Sequence, residues 1–181
     1  EPMPRWARPA SPSGFDALFD GPVRAPFVDL RPALRAASVG SAHPLYYPSD
    51  THWNFLGAGV GFRAFAESVA PAMPGVRWPG RADYAVVRTE RREGGDLARF
   101  LRIPGAFVDA EPIIGVLTRP IATMQVDFAS GRVLARVGNP MVETPVQPLL
   151  VRSPGALNRA KVLWVRDSFG QALSPLMAAT F

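Results

Sequence analysis

The sequence predicts one α/β domain in which short strands lead into helices, and three observations support this class. The chain has 181 residues, which is enough for one ordinary domain. Its composition, 48% hydrophobic and 19% charged, is typical of a folded globular protein. Three short apolar runs, at residues 27–30, 45–47 and 162–165, each lead into a helical pattern, the last two through a polar turn. Strands that alternate with helices form the repeating unit of a parallel α/β sheet.

The N-terminal segment, residues 1–24, is predicted to be a linker or surface segment because it carries five prolines and little periodicity. We expect the folded domain to comprise residues 25–181. Its first unit is a buried strand at 27–30 and a helix that begins at Arg31, with Pro32 in the first turn, where proline is tolerated.

The second unit is a short strand at 45–47, a polar turn and a long helix. Asn54 precedes a run of apolar residues at three- and four-residue intervals, so it is predicted to cap an amphipathic helix. The pattern continues to Val69, and Pro71 is expected to end it.

The middle of the chain carries a charged run at residues 88–93, which we interpret as a solvated face. Alternating β-type residues at 121–128 and 132–137 predict a hairpin that turns at Gly131. The last unit is a strand at 162–165 and a turn through Gly170. A helix is expected to begin near Ser174, because Pro175 would not fit deep inside one.

Composition excludes several kinds of site. The absence of cysteine excludes disulfides, thiolate metal sites and cysteine nucleophiles. The 20 basic residues outnumber 15 acidic ones, which fits an anionic partner and equally fits a coding bias towards arginine. Nucleic-acid binding is not expected, because no basic cluster is interleaved with aromatic residues.

Two of the strand-to-helix turns carry reactive side chains. Asp50 and His52 lie in one turn and Ser168 in the other, and turns of this kind meet at one edge of a parallel sheet. A serine nucleophile needs a base, and the base needs a carboxylate that fixes its tautomer. Taken singly, either motif is also a common helix-capping turn. With two histidines and no cysteine in the chain, a metal site is not expected.

The order of these residues argues against the α/β-hydrolase fold, in which the aspartate and histidine follow the serine. Here both precede Ser168, and Arg166 stands where the first glycine of a G-x-S-x-G elbow would be.

Residues 48–58, Pro-Ser-Asp-Thr-His-Trp-Asn-Phe-Leu-Gly-Ala, resemble the signature of the AlgX/AlgJ group of SGNH-hydrolase-like polysaccharide O-acetyltransferases. Three further segments match in the same order, at residues 28–34, 94–99 and 166–170, and the resemblance extends over about 25–181. It implies a circularly permuted, three-layer, flavodoxin-like fold with a parallel sheet, into which the hairpin is inserted.

The resemblance also implies roles for individual residues. Ser168 would carry the acetyl group, His52 would shuttle the proton, and Asp50 would orient His52. The substrate-binding candidates are Arg166, Trp53 and Gly95; a core position for Trp53 and a structural loop around Gly95 remain open as alternatives.

The resemblance further implies an activity, which is acetyl transfer to an extracytoplasmic, anionic, alginate-like polysaccharide without a cofactor. It also implies a location in the periplasm or cell envelope. The acetyl group would come through a membrane-bound O-acyltransferase. Relatives extend beyond both ends of the matched region, so the domain is expected to be truncated. The alternatives are a carbohydrate acetylesterase with the same triad and a noncatalytic carbohydrate-binding or assembly module.

Overall fold

The computed structural model describes Asp16 and residues 27–116, 122–138, 142 and 148–181, so nearly all of the predicted linker lies outside the described residues. The described chain forms four α-helices, α1 (Arg31–Ser38), α2 (Phe55–Val69), α3 (Asp96–Phe100) and α4 (Ser174–Thr180). Its strands are β1 (Tyr84–Glu93), β2 (Val108–Val116), β3 (Ala122–Asp127), β4 (Val133–Gly138) and β5 (Leu149–Arg152). Short 3-10 turns lie at Ala70–Ala72, Arg81–Asp83, Pro104–Ala106 and Ser168–Leu173. No helix in the described ranges is long and apolar enough to cross a membrane.

The helix boundaries confirm the signals read from the sequence. α1 begins at Arg31 and α2 follows Asn54, whose side-chain oxygen accepts hydrogen bonds from two backbone N–H groups of the first turn at 3.0 Å. α2 gives way to the 3-10 turn that contains Pro71. The final helix begins at Ser174, because the chain first makes a 3-10 turn from Ser168.

The predicted hairpin is confirmed as β3 and β4, which pair antiparallel around Gly131 at φ +69°. β5 pairs with the other edge of β3, so this sheet has the order β4-β3-β5. β1 and β2 form a second, two-stranded antiparallel sheet with an irregularity between Val86 and Arg88.

The expected parallel sheet is wrong for the described residues, where every ladder is antiparallel. Residues 27–30 and 162–165 form no ladder, and Tyr46 makes only an isolated bridge to Trp53. An apolar run indicates a strand but does not specify a partner, and parallel pairing needs a neighbouring strand to take up its backbone hydrogen bonds. No strand of the described chain lies beside 162–165, so Leu163 is 92% exposed.

The core lies between α2, β2 and α4, and its members are apolar: Phe55, Phe62, Ile114, Leu176 and Ala179. The backbone N–H groups of Leu157 and Asn158 donate to the last carbonyls of α4 at 2.9 and 3.0 Å, which hold this helix in place. The indole N–H of Trp53 donates to the carbonyl of Phe169 at 2.8 Å. These contacts bring the start of α2 and the turn before α4 together.

Candidate active site

The three residues predicted to form a triad form one chain of contacts, with Asp50 and Ser168 each within hydrogen-bonding distance of His52. His52 Nδ1 lies 2.8 Å from Asp50 Oδ1, and His52 Nε2 lies 2.8 Å from Ser168 Oγ. With Asp50 ionised, the network assigns the imidazole proton to Nδ1 and leaves the Nε2 lone pair facing the serine hydroxyl. This is the arrangement that a serine nucleophile with a histidine base requires.

The turn that carries Asp50 and His52 is closed by its own backbone. The N–H of Tyr47 donates to the carbonyl of His52, and the N–H of Asp50 donates to the carbonyl of Tyr47, both at 3.3 Å. Asp50 Oδ1 also accepts the backbone N–H of Thr51 at 2.7 Å. Asp50 and His52, which are two residues apart, therefore both point into one cleft.

Ser168 begins the 3-10 turn that leads to α4. The side chain of Asp167 caps this turn by accepting the N–H of Phe169 at 2.9 Å. The capping residue and the candidate nucleophile are therefore adjacent in the sequence, and the Ser168 hydroxyl faces His52. The ring of Phe169 lies 4.7 Å from the imidazole, centroid to centroid, which limits the orientations open to His52.

A guanidinium lies behind the carboxylate. Arg92 Nη2 donates to Asp50 Oδ2 at 2.6 Å, and the side chain of Asp50 is 1% exposed. Burial opposes the ionisation of Asp50, but the hydrogen bonds from His52 and Arg92 and the charge of Arg92 outweigh it, so the pKa of this carboxyl lies well below its usual range.

Arg92 is a member of this site that was not predicted from the sequence. The charged run at 88–93 is the second half of β1, and its interpretation as a solvated face is wrong for Arg92, whose side chain is 30% exposed. The signal that could have found it is the period of two in a strand, which places Arg91 and Arg92 on opposite faces. Arg91 is exposed.

Gly95 lies directly against the carboxylate. A Cβ at this position would collide with the side chain of Asp50, so only glycine permits this approach. Its N–H donates to the hydroxyl of Ser49 at 3.0 Å. Gly95, one of the predicted substrate-binding candidates, therefore belongs to the packing around Asp50, and its N–H is already engaged by Ser49.

An open cleft of about 360 Å³ surrounds the triad. Trp53 lies in its wall although it is 9% exposed, and the charged groups in the lining besides the triad are Arg92, Asp96, Arg99 and Glu111. Arg166 is not part of this lining. Its guanidinium donates to the carbonyls of Val142 at 2.5 Å and Asp167 at 3.1 Å.

Asp50, His52 and Asp96 each offer a potential metal-ligand atom within 4.8 Å of the others. In this arrangement both nitrogens of His52 are engaged, by Asp50 and by Ser168, and Arg92 brings a positive charge to the other oxygen of Asp50. A cation would have to compete with that guanidinium, so the donor set suits proton transfer better than metal binding.

Comparison with known proteins identifies the family. The model of the SGNH hydrolase-like domain of the acetyltransferase AlgX matches residues 22–142, a range that includes Asp50 and His52 and ends before Ser168. No curated protein matches the chain. A solved structure of a DHHW family protein from Eubacterium siraeum shares the fold, with a TM-score of 0.57 and 19% identity, over 85% of this chain. The chain spans about half of that protein, 53% of its length. Since the family model covers well over half of the 181 residues, the chain belongs to the AlgX family of SGNH hydrolase-like acetyltransferase domains.

Proposed function

We propose that this domain transfers acetyl groups through an acetyl-Ser168 intermediate to hydroxyl groups of a polysaccharide. One observation carries the proposal: the continuous chain of two hydrogen bonds, each 2.8 Å long, from Asp50 through His52 to Ser168. Membership of an acetyltransferase family supports the choice of acyl group.

In the first half of the reaction, Ser168 Oγ attacks the carbonyl carbon of an acetyl ester or thioester while His52 Nε2 takes the hydroxyl proton. The bond from the acetyl carbon to Oγ forms, the bond to the leaving group breaks, and the imidazolium returns its proton to that leaving group. The Asp50 carboxylate stabilises the imidazolium while it holds the proton.

In the second half, His52 Nε2 takes a proton from an acceptor hydroxyl, whose oxygen attacks the acetyl carbon. The bond between acetyl and Ser168 Oγ breaks, and Oγ recovers the proton from the imidazolium. Because Ser168 is exposed, water can also reach the acetyl-enzyme, and this favours an acetylesterase as the second candidate function. The third alternative was a noncatalytic carbohydrate-binding or assembly module, and no observation at the triad favours it.

The test begins with hydrolysis of a chromogenic acetate ester by the wild type, Ser168→Ala and Ser68→Ala. Ser68 is exposed on α2, away from the lining of the cleft, so it is the matched control. We expect Ser168→Ala to lose activity to the background rate and Ser68→Ala to keep it. Equal rates in the wild type and Ser168→Ala would reject the triad.

Incubation with the same ester and candidate oligosaccharides, followed by mass spectrometry of the sugars, then distinguishes transferase from esterase. A gain of one acetyl group on the sugar supports transfer. Release of acetate alone, at every acceptor concentration, supports the esterase.

For the acceptor we propose an anionic, alginate-like polysaccharide outside the cytoplasm, with the acetyl group supplied through a membrane-bound O-acyltransferase. Arg99 lines the cleft and is exposed, whereas Arg166 is outside the lining and its guanidinium donates to backbone carbonyls. Trp53 offers an aromatic wall. The KM values of Arg99→Gln and Arg166→Gln are compared on a uronate oligosaccharide and on a neutral one. The arginine whose replacement raises KM for the uronate alone is the one that contacts the anion.

A further inference from the structure

The environment of Arg92 is more elaborate than a surface ion pair. Its guanidinium lies over the ring of Tyr47, with Cζ 4.2 Å from the ring centre, and donates to Asp50 Oδ2 at 2.6 Å. Its Nη1 lies 3.7 Å from Asp109 Oδ2 across the β1–β2 ladder. Stacking on an aromatic face and a charge-assisted hydrogen bond restrict a guanidinium to one position.

Tyr47 and Asp109, which contact the Arg92 guanidinium, make further hydrogen bonds of their own. Tyr47 donates its hydroxyl to Glu111 Oε1 at 2.7 Å, and burial together with this hydrogen bond raises the pKa of Tyr47, so the ring under Arg92 stays neutral. The hydroxyl of Ser49 donates to Asp109 Oδ2 at 2.6 Å. The turn with Asp50 and the β1–β2 hairpin are therefore connected through the network that surrounds Arg92.

This network gives the two oxygens of Asp50 different side-chain partners, while Oδ1 also accepts the backbone N–H of Thr51. Oδ1 lies 2.8 Å from His52 Nδ1, and Oδ2 accepts from Arg92. A buried carboxylate without a counter-ion is unfavourable, and a carboxyl with one free oxygen can rotate about its Cβ–Cγ bond. Arg92 supplies the compensating charge, and its hydrogen bond to Oδ2 restricts rotation of the carboxylate.

We propose that Arg92 is a positioning residue of the active site, which holds the Asp50 carboxylate in the orientation and charge state that His52 needs. This inference rests on the proposed function for its consequence in catalysis. Its physical core, the effect of Arg92 on the Asp50–His52 pair, can be measured without any substrate.

The charged and titratable groups around His52 set the sign of the expected effect. Asp50 lies at Nδ1 and Asp96 Oδ2 lies 3.4 Å from the same nitrogen, Ser168 lies at Nε2, and the charge of Arg92 acts through Asp50. Arg92 opposes proton uptake by this group of residues. Its removal leaves two carboxylates beside the imidazole, so the Asp50–His52 pair should take up a proton at higher pH.

The experiment compares Arg92→Met, Arg92→Lys and the matched control Arg91→Met, which changes the exposed neighbour on the opposite face of β1. His52 is titrated by NMR in each protein, and His43, the other histidine, is the internal reference. The pH profile of kcat/KM for a chromogenic acetate ester is measured in parallel, with Ser168→Ala as the blank.

We expect Arg92→Met to move the titration of the Asp50–His52 pair and the acid limb of the profile to higher pH, because the charge that opposes proton uptake is gone. We also expect kcat/KM to fall by roughly 10- to 100-fold, mainly through kcat. Arg92→Lys keeps the charge but not the planar fork, so its titration should stay near that of the wild type while kcat/KM falls several-fold. Arg91→Met should match the wild type.

A merely structural role for Arg92 predicts lost activity with an unchanged His52 titration and an unchanged acid limb, and that result would overturn the proposal. If Arg92→Lys kept the full kcat/KM of the wild type, the planar guanidinium would not be needed to orient the Asp50 carboxylate, and this part of the proposal would be contradicted. If the wild type shows no Ser168-dependent activity, the proposed function fails, and the titration in Arg92→Met, with Arg92→Lys as the control that keeps the charge, still decides whether Arg92 controls the pair.

Discussion

At the scale of single residues, Asp50 joins the two halves of the site. Its side chain is 1% exposed and lies between an imidazole and a guanidinium. The Asp-x-His motif and a later serine offered the residue types of a triad but also fitted helix-capping turns, and the resemblance to the AlgX/AlgJ group supplied their roles. Arg92 was not predictable in the same way, since the face on which a strand residue lies depends on register and on which neighbour the strand finds.

Asp50→Asn tests the carboxylate itself. The amide has nearly the same shape, but it no longer carries the charge that stabilises the imidazolium and its NH₂ group can face His52. We expect kcat for acetate ester hydrolysis to fall by about 10²- to 10⁴-fold with a smaller change in KM. Steady-state kinetics at pH 7 measures this, and a fall of less than threefold would show that Asp50 is not needed.

Gly95→Ala tests the close approach of the chain to Asp50. One methyl group would collide with the Asp50 side chain, so the turn or the start of α3 must shift. We expect a loss of Ser168-dependent activity of at least about tenfold, because small displacements disturb proton-transfer geometry. Gly105→Ala is the control, since a Cβ at Gly105 has no neighbour within 4 Å. Equal activities of the two variants would contradict the packing described for Gly95.

At the scale of elements, the helices were predictable because their signals are local. Capping by Asn54, the proline positions and the three-to-four period lie within a few residues of each other. The β1–β2 sheet was not recognised, because charged residues occupy one strand and pairing joins residues far apart in the sequence, such as Arg92 and Asp109. For the same reason the apolar runs were assigned to a parallel sheet that the described residues do not form.

The N-cap of α2 gives a prediction on stability. Asn54 is fully buried, accepts two backbone hydrogen bonds and donates its amide to the carbonyl of Pro44 at 2.6 Å. Asn54→Ala should lower the free energy of unfolding by about 1–3 kcal/mol, since it removes the cap and leaves a buried carbonyl without its donor. Urea denaturation measures the change. A loss below about 0.5 kcal/mol would mean that the cap contributes little.

At the scale of the whole molecule, the candidate active site depends on segments far apart in the chain. The turn at 48–53, the β1–β2 hairpin and the turn before α4 all contribute, and the core between α2, β2 and α4 keeps them together. Membership of the SGNH-like family was predictable because its motifs have fixed spacing and order. The sheet arrangement was not, because it depends on which strands are present as neighbours.

The pH dependence of unfolding follows from Asp50. Its pKa is lower in the folded protein than its unfolded value of about 3.9, so its contribution to stability is present above pH 4 and is lost as the pH falls towards the folded pKa. Denaturation midpoints between pH 3 and pH 7 should therefore decrease on the acid side. Asp50→Asn should flatten part of that decrease, and an unchanged acid slope in this variant would contradict the strong native pairing of Asp50.

The most direct test of the central claim, that Ser168 is a nucleophile activated by His52 and Asp50, is to trap the acetyl-enzyme. The protein is exposed briefly to a chromogenic acetate ester, quenched in acid and analysed by intact mass and peptide mapping. We expect one acetyl group on Ser168 in the wild type, far slower labelling in His52→Gln, and none at this peptide in Ser168→Ala. Labelling at other residues only, or equal labelling of the wild type and His52→Gln, would contradict the account.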